Sequence, residues 1–275
     1  MRIGIDYTSA LNQRAGIGRF TRGMVYGLSQ VDRTNQYVLI HARTRRASPE
    51  NALPGNFVCR QLPLGERALA ILWHRLGVPA SVEYFAGQLD IFHAPDYVLP
   101  PLRQAKGIIT VHDLSVMLYP EHAEPNLVKY LCKTVPGCIE RARLILADSN
   151  STRDDIIRLL GAPENKVQVV YGGVDRRFAK VADPLILRQI RESYPIDRPY
   201  IFSLGTIEPR KNLVTLLEAY DSLRATGKTA HRLLIGGARG WQNSRLARAY
   251  DRLTSKEDVI FLGFIPDEDL PALYS

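Results

Sequence analysis

"YIFSLGTIEPRKNLVTLLEAYDSLRA", residues 200–225, carries the reading that decides the fold. It opens on an apolar run, Tyr200 to Leu204, of the kind a buried strand needs. It ends on a segment of helical period, in which Leu213, Leu216, Leu217, Tyr220 and Leu223 make one face behind Asn212 as N-cap. Between them stands "GTIEPRKN", 205–212, with Arg210 and Lys211 side by side at the helix entrance. A helix N-terminus already carries partial positive charge, so cations there are mildly unfavourable unless an anion fills the gap. Arg brings a planar fork of donors and Lys a point charge, and both suit phosphate. The competing reading is a solvated basic turn paired with Glu208.

The same strand-then-helix unit repeats along the chain. Apolar runs stand at 2–7, 37–42, 57–62, 90–95, 108–113, 144–149 and 167–172, and again at 199–205, 231–237 and 258–264. Helices are expected at 19–31, with Phe20, Met24, Leu28 and Val31 on one face, and at 66–77 and 126–143. Another is expected at 149–160, with Ser149 or Ser151 as N-cap and Gly161 as stop. In the second half they fall at 212–226, 242–255 and 267–275, the last capped by Asp267. Strands apolar throughout and separated by helices imply parallel sheets covered on both faces. Residues 176–198 hold Pro184, Pro195, charges and one short helix, which reads as a connector. The expected organisation is 1–175, a first Rossmann-like domain; 176–198, a connector; and 199–275, a second and shorter one. Three strands are expected in 199–275 where such domains usually have five or six, so an incomplete Rossmann-like domain is expected there.

The bulk numbers fit a globular protein. The chain has 275 residues, 45% hydrophobic, with a net charge of +8 and a mean hydropathy of −0.13. The charge is spread evenly: 20 Lys and Arg against 16 Asp and Glu up to Asp175, and 16 against 12 beyond. There is no basic arm of the nucleic-acid kind. Cys59, Cys132 and Cys138 are an odd number without a CxxC, so neither a disulfide framework nor a zinc site is implied, and a cytoplasmic setting is expected. No stretch approaches the ~20 apolar residues of a spanning helix. RTRR, 43–46, reads as a solvated loop. The helix around Leu69, Ile71, Leu72, Trp73 and Leu76 reads as core, with membrane contact as the alternative.

In open α/β sheets ligands sit at the carboxyl ends of strands. Four further stretches stand there. "QRAGIGRFTRG", 13–23, has Gly16 and Gly18 before a helix; it is either a backbone phosphate cradle or an ordinary loop. "TVHDL", 110–114, ends a strand on His112, which could bond a substrate hydroxyl or stabilise charge, or be satisfied by backbone. His93 reads as structural. "GGARGW", 236–241, with Gly237, and "GFIPDEDL", 263–270, with Gly263, Phe264 and Ile265, could bring main chain close to a ligand.

Taken in order, "GIGRF", "HDL", "ADSNSTRDDIIRLLGAPENKVQVVYGGVD", "SLGTIEPRKNLVTLLEAY", "LLIGGARGW" and "VIFLGFIPDEDLPALYS" resemble the retaining, nucleotide-sugar-dependent glycosyltransferases of family 4. The resemblance implies an α/β GT-B fold, two Rossmann-like domains facing across a cleft. The first would bind acceptor, the second the sugar nucleotide. It implies that Arg210 and Lys211 grip the donor diphosphate and stabilise its growing charge. Gly16, Ile17, Gly18, Gly205 and Gly237 would contribute to donor binding, His112 would lie near the transferred sugar, and Gly263, Phe264 and Ile265 beside the base. The family needs no metal and no cofactor. GDP-mannose is the first expectation for the donor and a UDP-sugar the second; the acceptor would be a glycan or lipid-linked glycan, with peripheral attachment at the inner membrane face compatible. Gly172 stands where the family usually has Asn. The family's pair of glutamates would fall after Ser275. The alternatives are a sugar-nucleotide epimerase on the same fold, or a non-catalytic nucleotide- or glycan-binding fragment.

Overall fold

A computed structural model of the chain describes residues 1–13, 16–45, 53–241 and 244–275. Arg14, Ala15 and Arg46, and the start of the helix expected from 242, lie outside the described residues. The chain divides into two units, 1–120 with 125–173, and 121–124 with 174–275.

The first unit is built on a seven-stranded sheet of β1 (Arg2–Asp6), β2 (Gln36–His41), β3 (Phe57–Gln61), β4 (Ile91–Ala94), β5 (Lys106–Val111), β6 (Leu144–Ala147) and β7 (Val167–Val169). Every pairing is parallel, in the order β3-β2-β1-β4-β5-β6-β7. This is the doubly wound order, and the direction of winding reverses between β1 and β4. The helices are α1 (Thr8–Asn12), α2 (Gly16–Val31), α3 (Glu66–Ala70), α4 (Glu83–Ala86), α5 (Ser115–Leu118), α6 (Pro125–Arg141) and α7 (Asn150–Leu160). Apolar strands explain the core: Ile5, Leu39, Phe92, Ile109 and Ile145 are all fully buried.

Three expectations need correcting here. The second helix starts at Gly16, not Arg19, and its inward face is Gly18, Thr21, Val25 and Ser29. Small residues are required because α1 packs close: a Cβ on Gly18 would sit 2.1 Å from the Gln13 carbonyl oxygen. Val31 is 80% exposed. The helix expected over 66–77 is α-helical only to Ala70 and continues as one π turn, Ile71–Arg75. Leu69 is core, while Ile71 and Leu76 are exposed. Ser149, of the two serines, is the cap of α7; its hydroxyl accepts from the Thr152 amide at 3.1 Å. Gly161 closes that helix in the left-handed region, φ 64°.

The second unit carries α8 (Pro184–Ser193), β8 (Tyr200–Leu204), α9 (Leu213–Ala225), β9 (Arg232–Gly236), α10 (Ser244–Asp251), β10 (Val259–Gly263) and α11 (Leu270–Tyr274). Its sheet is parallel, in the order β10-β9-β8. Leu213, Leu217 and Tyr220 pack with Leu233, Ile235 and Val259 in one cluster. Ile190, Leu270, Leu273 and Ile265, with Phe178 and Phe202, form another. Residues 176–198 are therefore not a free-standing connector: α8 is part of this core. Leu223 is 39% exposed, so the buried face of α9 ends at Tyr220. At the foot of β10 the buried Asp258 pairs with Arg198 and Arg224, with the Arg232 Nε at 3.9 Å. Of the cysteines, Cys59 and Cys138 are buried and Cys132 is exposed; all three are free thiols.

Candidate functional site

In the second unit the three strand ends are joined by main chain. The Gly205 amide donates to the Gly236 carbonyl at 2.9 Å, the Gly237 amide to the Gly263 carbonyl at 2.7 Å, and the Ile207 amide to the Ala238 carbonyl at 3.0 Å. The glycines are required by this approach. Gly237 has φ 144°, and a Cβ there would lie 1.8 Å from the Gly205 oxygen. Gly205, Gly237 and Gly263, named from sequence as donor contacts, thus come together at the carboxyl edge of the sheet.

Arg210 and Lys211 occupy one 3-10 turn, Pro209–Lys211, rather than the first turn of α9. Asn212 follows in the left-handed region, φ 49°, and its side chain makes no bond to a helix amide. It accepts instead from the Thr215 hydroxyl at 3.0 Å. The expected N-cap is therefore present in position but not in bonding. Proline at the start of the turn fixes φ and sets this tight geometry. Glu208 is not a surface partner, as the solvated-turn reading had it. It is 6% exposed and lies 2.7 Å from Arg210 Nη2. The pair sets a buried carboxylate against the guanidinium while leaving 41% of the Arg210 side chain exposed. The stem of Lys211 runs beside Gly205, its Cε 3.6 Å from where a Cβ there would be.

Phe264 is half exposed, but Ile265 is 3% exposed and belongs to the core. A Cβ on Gly236 would strike the Ile265 Cδ1 at 2.3 Å. The Ile265 side chain is thus not a ligand contact. Asp267 does not cap the last helix; α11 begins after Asp269.

In the first unit His112 stands at the end of β5, only 12% exposed. Its Nδ1 is 2.6 Å from Asp148 Oδ2 and its Nε2 2.9 Å from the Pro95 carbonyl oxygen. Both partners only accept, so the site favours the protonated ring, which can donate from both nitrogens. Burial alone would lower its pKa. The hydrogen bond and charge of Asp148, the Pro95 carbonyl and Asp96 outweigh that and raise it. Phe20 packs edge-on at 4.8 Å and Tyr97 at 5.9 Å. Tyr97 itself has φ 55°. His112 is thus built to hold positive charge, and bonding a sugar hydroxyl would require it to surrender a protein acceptor. His93 is structural, as expected: buried, bonded to the Thr110 hydroxyl at 2.8 Å, and lowered to about 4 by desolvation and the charge of His112. Gly16 and Ile17 fall in the first turn of α2, and Gly18 packs against α1.

Sequence reasoning missed Asp6, Asp96 and Asp148. Each stands at a strand's carboxyl end or within two residues of it, after β4 and β6 for the last two. The rule used to pick His112 would have found them. Among the described residues no group of three or more His, Cys, Asp or Glu is placed to hold a metal ion. None of the described helices is long and apolar enough to cross a membrane.

Two parallel-sheet α/β units, the second with glycine loops and a cation pair at its carboxyl edge, define a nucleotide-sugar enzyme class of GT-B type. The chain belongs to Glycosyltransferase Family 4, whose pattern matches residues 15–178. The Glycosyl transferases group 1 pattern follows over residues 188–275. It is thereby a hexosyltransferase. It is 29% identical over 278 residues to the O-antigen chain mannosyltransferase B of Escherichia coli, covering 94% of this chain and 70% of that protein. It is 28% identical over 175 residues to the serotype-specific mannosyltransferase WbdA of Escherichia coli, covering 62% of this chain and 21% of that one. The fold matches Anabaena Alr3699/HepE, solved with UDP and glucose, at a TM-score of 0.66 and 17% identity, over 99% of this chain and 71% of the other.

Proposed function

We propose that the protein moves mannose, with retention of configuration, from GDP-mannose to a growing glycan or lipid-linked glycan. A UDP-hexose is the second donor expectation. The observation that carries the reading is the adjacent cations Arg210, ion-paired with buried Glu208, and Lys211, next to the stitched glycine loops. Two adjacent cations suit a diphosphate leaving group, whose charge grows as the glycosidic bond breaks. The mannosyltransferase relatives support the sugar. On this reading the enzyme works in the cytoplasm, at the inner face of the membrane when the acceptor is lipid-linked.

Two measurements test it. Titration with GDP, UDP and their mannose and glucose conjugates should give selective binding of one base, weakened in Arg210→Ala. In a transfer assay, Arg210→Ala or Lys211→Ala should lower kcat/KM by ~10²–10³-fold, the usual loss for one preorganised charge-stabilising donor. Near-normal rates in either variant would remove the pair from the mechanism.

A further inference from the structure

Among the described residues, Tyr97 and Asn212 have positive φ without being glycine, at 55° and 49°. Asparagine tolerates the left-handed region, whereas a bulky ring there is an outlier. The bond that closes the turn around Tyr97 makes it rarer still. The Val98 amide donates to the Asp96 carbonyl at 2.5 Å, across a single residue. A three-residue turn whose middle residue has positive φ is the strained form of the γ-turn. Such backbone costs free energy and persists only where its surroundings over-determine it.

Those surroundings centre on His112. Pro95, two residues ahead of Tyr97, sets its carbonyl oxygen 2.9 Å from His112 Nε2. The Tyr97 amide donates to the Thr110 carbonyl of β5 at 3.2 Å. The Tyr97 ring stands edge-on to the imidazole at 5.9 Å, and its hydroxyl accepts from the Asp113 amide at 3.3 Å. Tyr97 thus grips the end of β5 on both sides of His112, at 110 and at 113, and meets the ring between them. An extended residue at 97 would open the turn and let the loop that carries the Pro95 carbonyl shift.

We propose that Tyr97 is a positioning residue for hexosyl transfer: its turn aims the Pro95 carbonyl at His112, and its ring and hydroxyl brace the strand end that carries the imidazole. The fold tolerates the strain because the ring it fixes stands at the carboxyl end of β5, where ligands sit in such sheets. The proposal rests on the glycosyl-transfer reading above, with His112 near the transferred sugar. Among the described residues the titratable groups facing the ring are Asp148 after β6, Asp96 after β4 and His93 within β4. α2 and α7 bring uncharged groups, Phe20 to the ring and the Thr152 hydroxyl to the His112 carbonyl. Burial disfavours the protonated ring, and Asp148, the Pro95 carbonyl and Asp96 outweigh it. Loss of the Pro95 contact should therefore let the ring lose its proton at lower pH.

The test compares the whole chain with Tyr97→Phe, Tyr97→Gly and Tyr97→Ala. It reads Tm, GDP binding, turnover of GDP-mannose and of UDP-glucose with α-mannobiose as acceptor, and the titration of the His112 ring by NMR. Glycine and alanine both lack the ring and differ in their tolerance of positive φ, so Tyr97→Gly should melt above Tyr97→Ala. Tyr97→Ala should lower kcat ~10-fold or more, as a misplaced group does, with donor KM and GDP affinity unchanged. Tyr97→Gly, which can keep the turn, should lose less, and Tyr97→Phe should stay near the parent. The His112 titration should move to lower pH in the same order. Tyr97→Gly carries the same readouts if the alanine chain does not fold. Near-parent kcat or an unmoved His112 titration in Tyr97→Ala overturns the proposal, as does Tyr97→Gly melting below it. A parent that binds no nucleotide and turns over neither donor sinks the donor reading instead, and the melting order with the His112 titration then decides the role of the turn.

Discussion

At the scale of the residue, His112 shows how a fold sets a charge. Its two acceptors stand on different elements, Asp148 after β6 and Pro95 after β4. Neither is close in sequence, which is why the histidine was legible as a candidate while its protonation was not. A histidine with a raised native pKa adds stability that is full below about 6.5 and is lost as pH rises through the native value. Asp148→Asn should cost ~1.5–3 kcal/mol at pH 6, the worth of a hydrogen bond to a charged group. The loss should be smaller at pH 9, since rising pH removes the ring proton and with it the charge that Asp148 meets. Urea denaturation at the two pH values checks this; an equal loss at both would mean that Asp148 acts by packing alone. The Arg210 and Lys211 pair was legible because two adjacent cations at a strand end are unusual. Glu208 beneath them was not, because only the three-dimensional turn shows that this carboxylate is buried.

At the scale of the element, the apolar runs mark the places of the ten strands among the described residues, because a strand covered on both faces has no polar face to disguise it. The cap of α7 was legible for the same local reason. Ser149→Ala should lower stability by ~1 kcal/mol, read as a shift of the urea midpoint with unchanged slope. Close approach was harder to see. The glycines of 13–23 looked like a ligand loop, yet Gly18 is demanded by the Gln13 and Ser9 carbonyls pressing on α2. Gly237 is the opposite case, a glycine that does hold a strand-end loop in place. Gly237→Ala puts a methyl into the Gly205 carbonyl at an unfavourable φ. It should weaken nucleotide binding at least ~10-fold, since displacing Gly205 also displaces the Lys211 stem that runs beside it. Unchanged nucleotide affinity would show that the three loops need not stay joined.

At the scale of the whole molecule, each unit carries its own core, and the second also carries a charged one. Asp258 gathers Arg198 ahead of β8, Arg224 from the last turn of α9 and Arg232 at the start of β9. One carboxylate thus ties four segments at the end of the sheet opposite the glycine loops. Asp258→Ala removes the acceptor shared by Arg198 and Arg224, which are partly exposed and keep other partners, and should cost ~1.5–3 kcal/mol, measurable by thermal melting; a loss below ~1 kcal/mol would mean that water takes over the bonding. None of this could be read beforehand, since nothing in 198, 224, 232 and 258 as sequence positions says that they meet. The cysteines lead somewhere more practical. Cys138 lies under the Leu99 backbone and Cys59 inside β3, while Cys132 alone faces outward from α6. A maleimide dye added to the native chain should therefore stop at one label per molecule, giving a fluorescent reporter on the first unit without any engineered thiol.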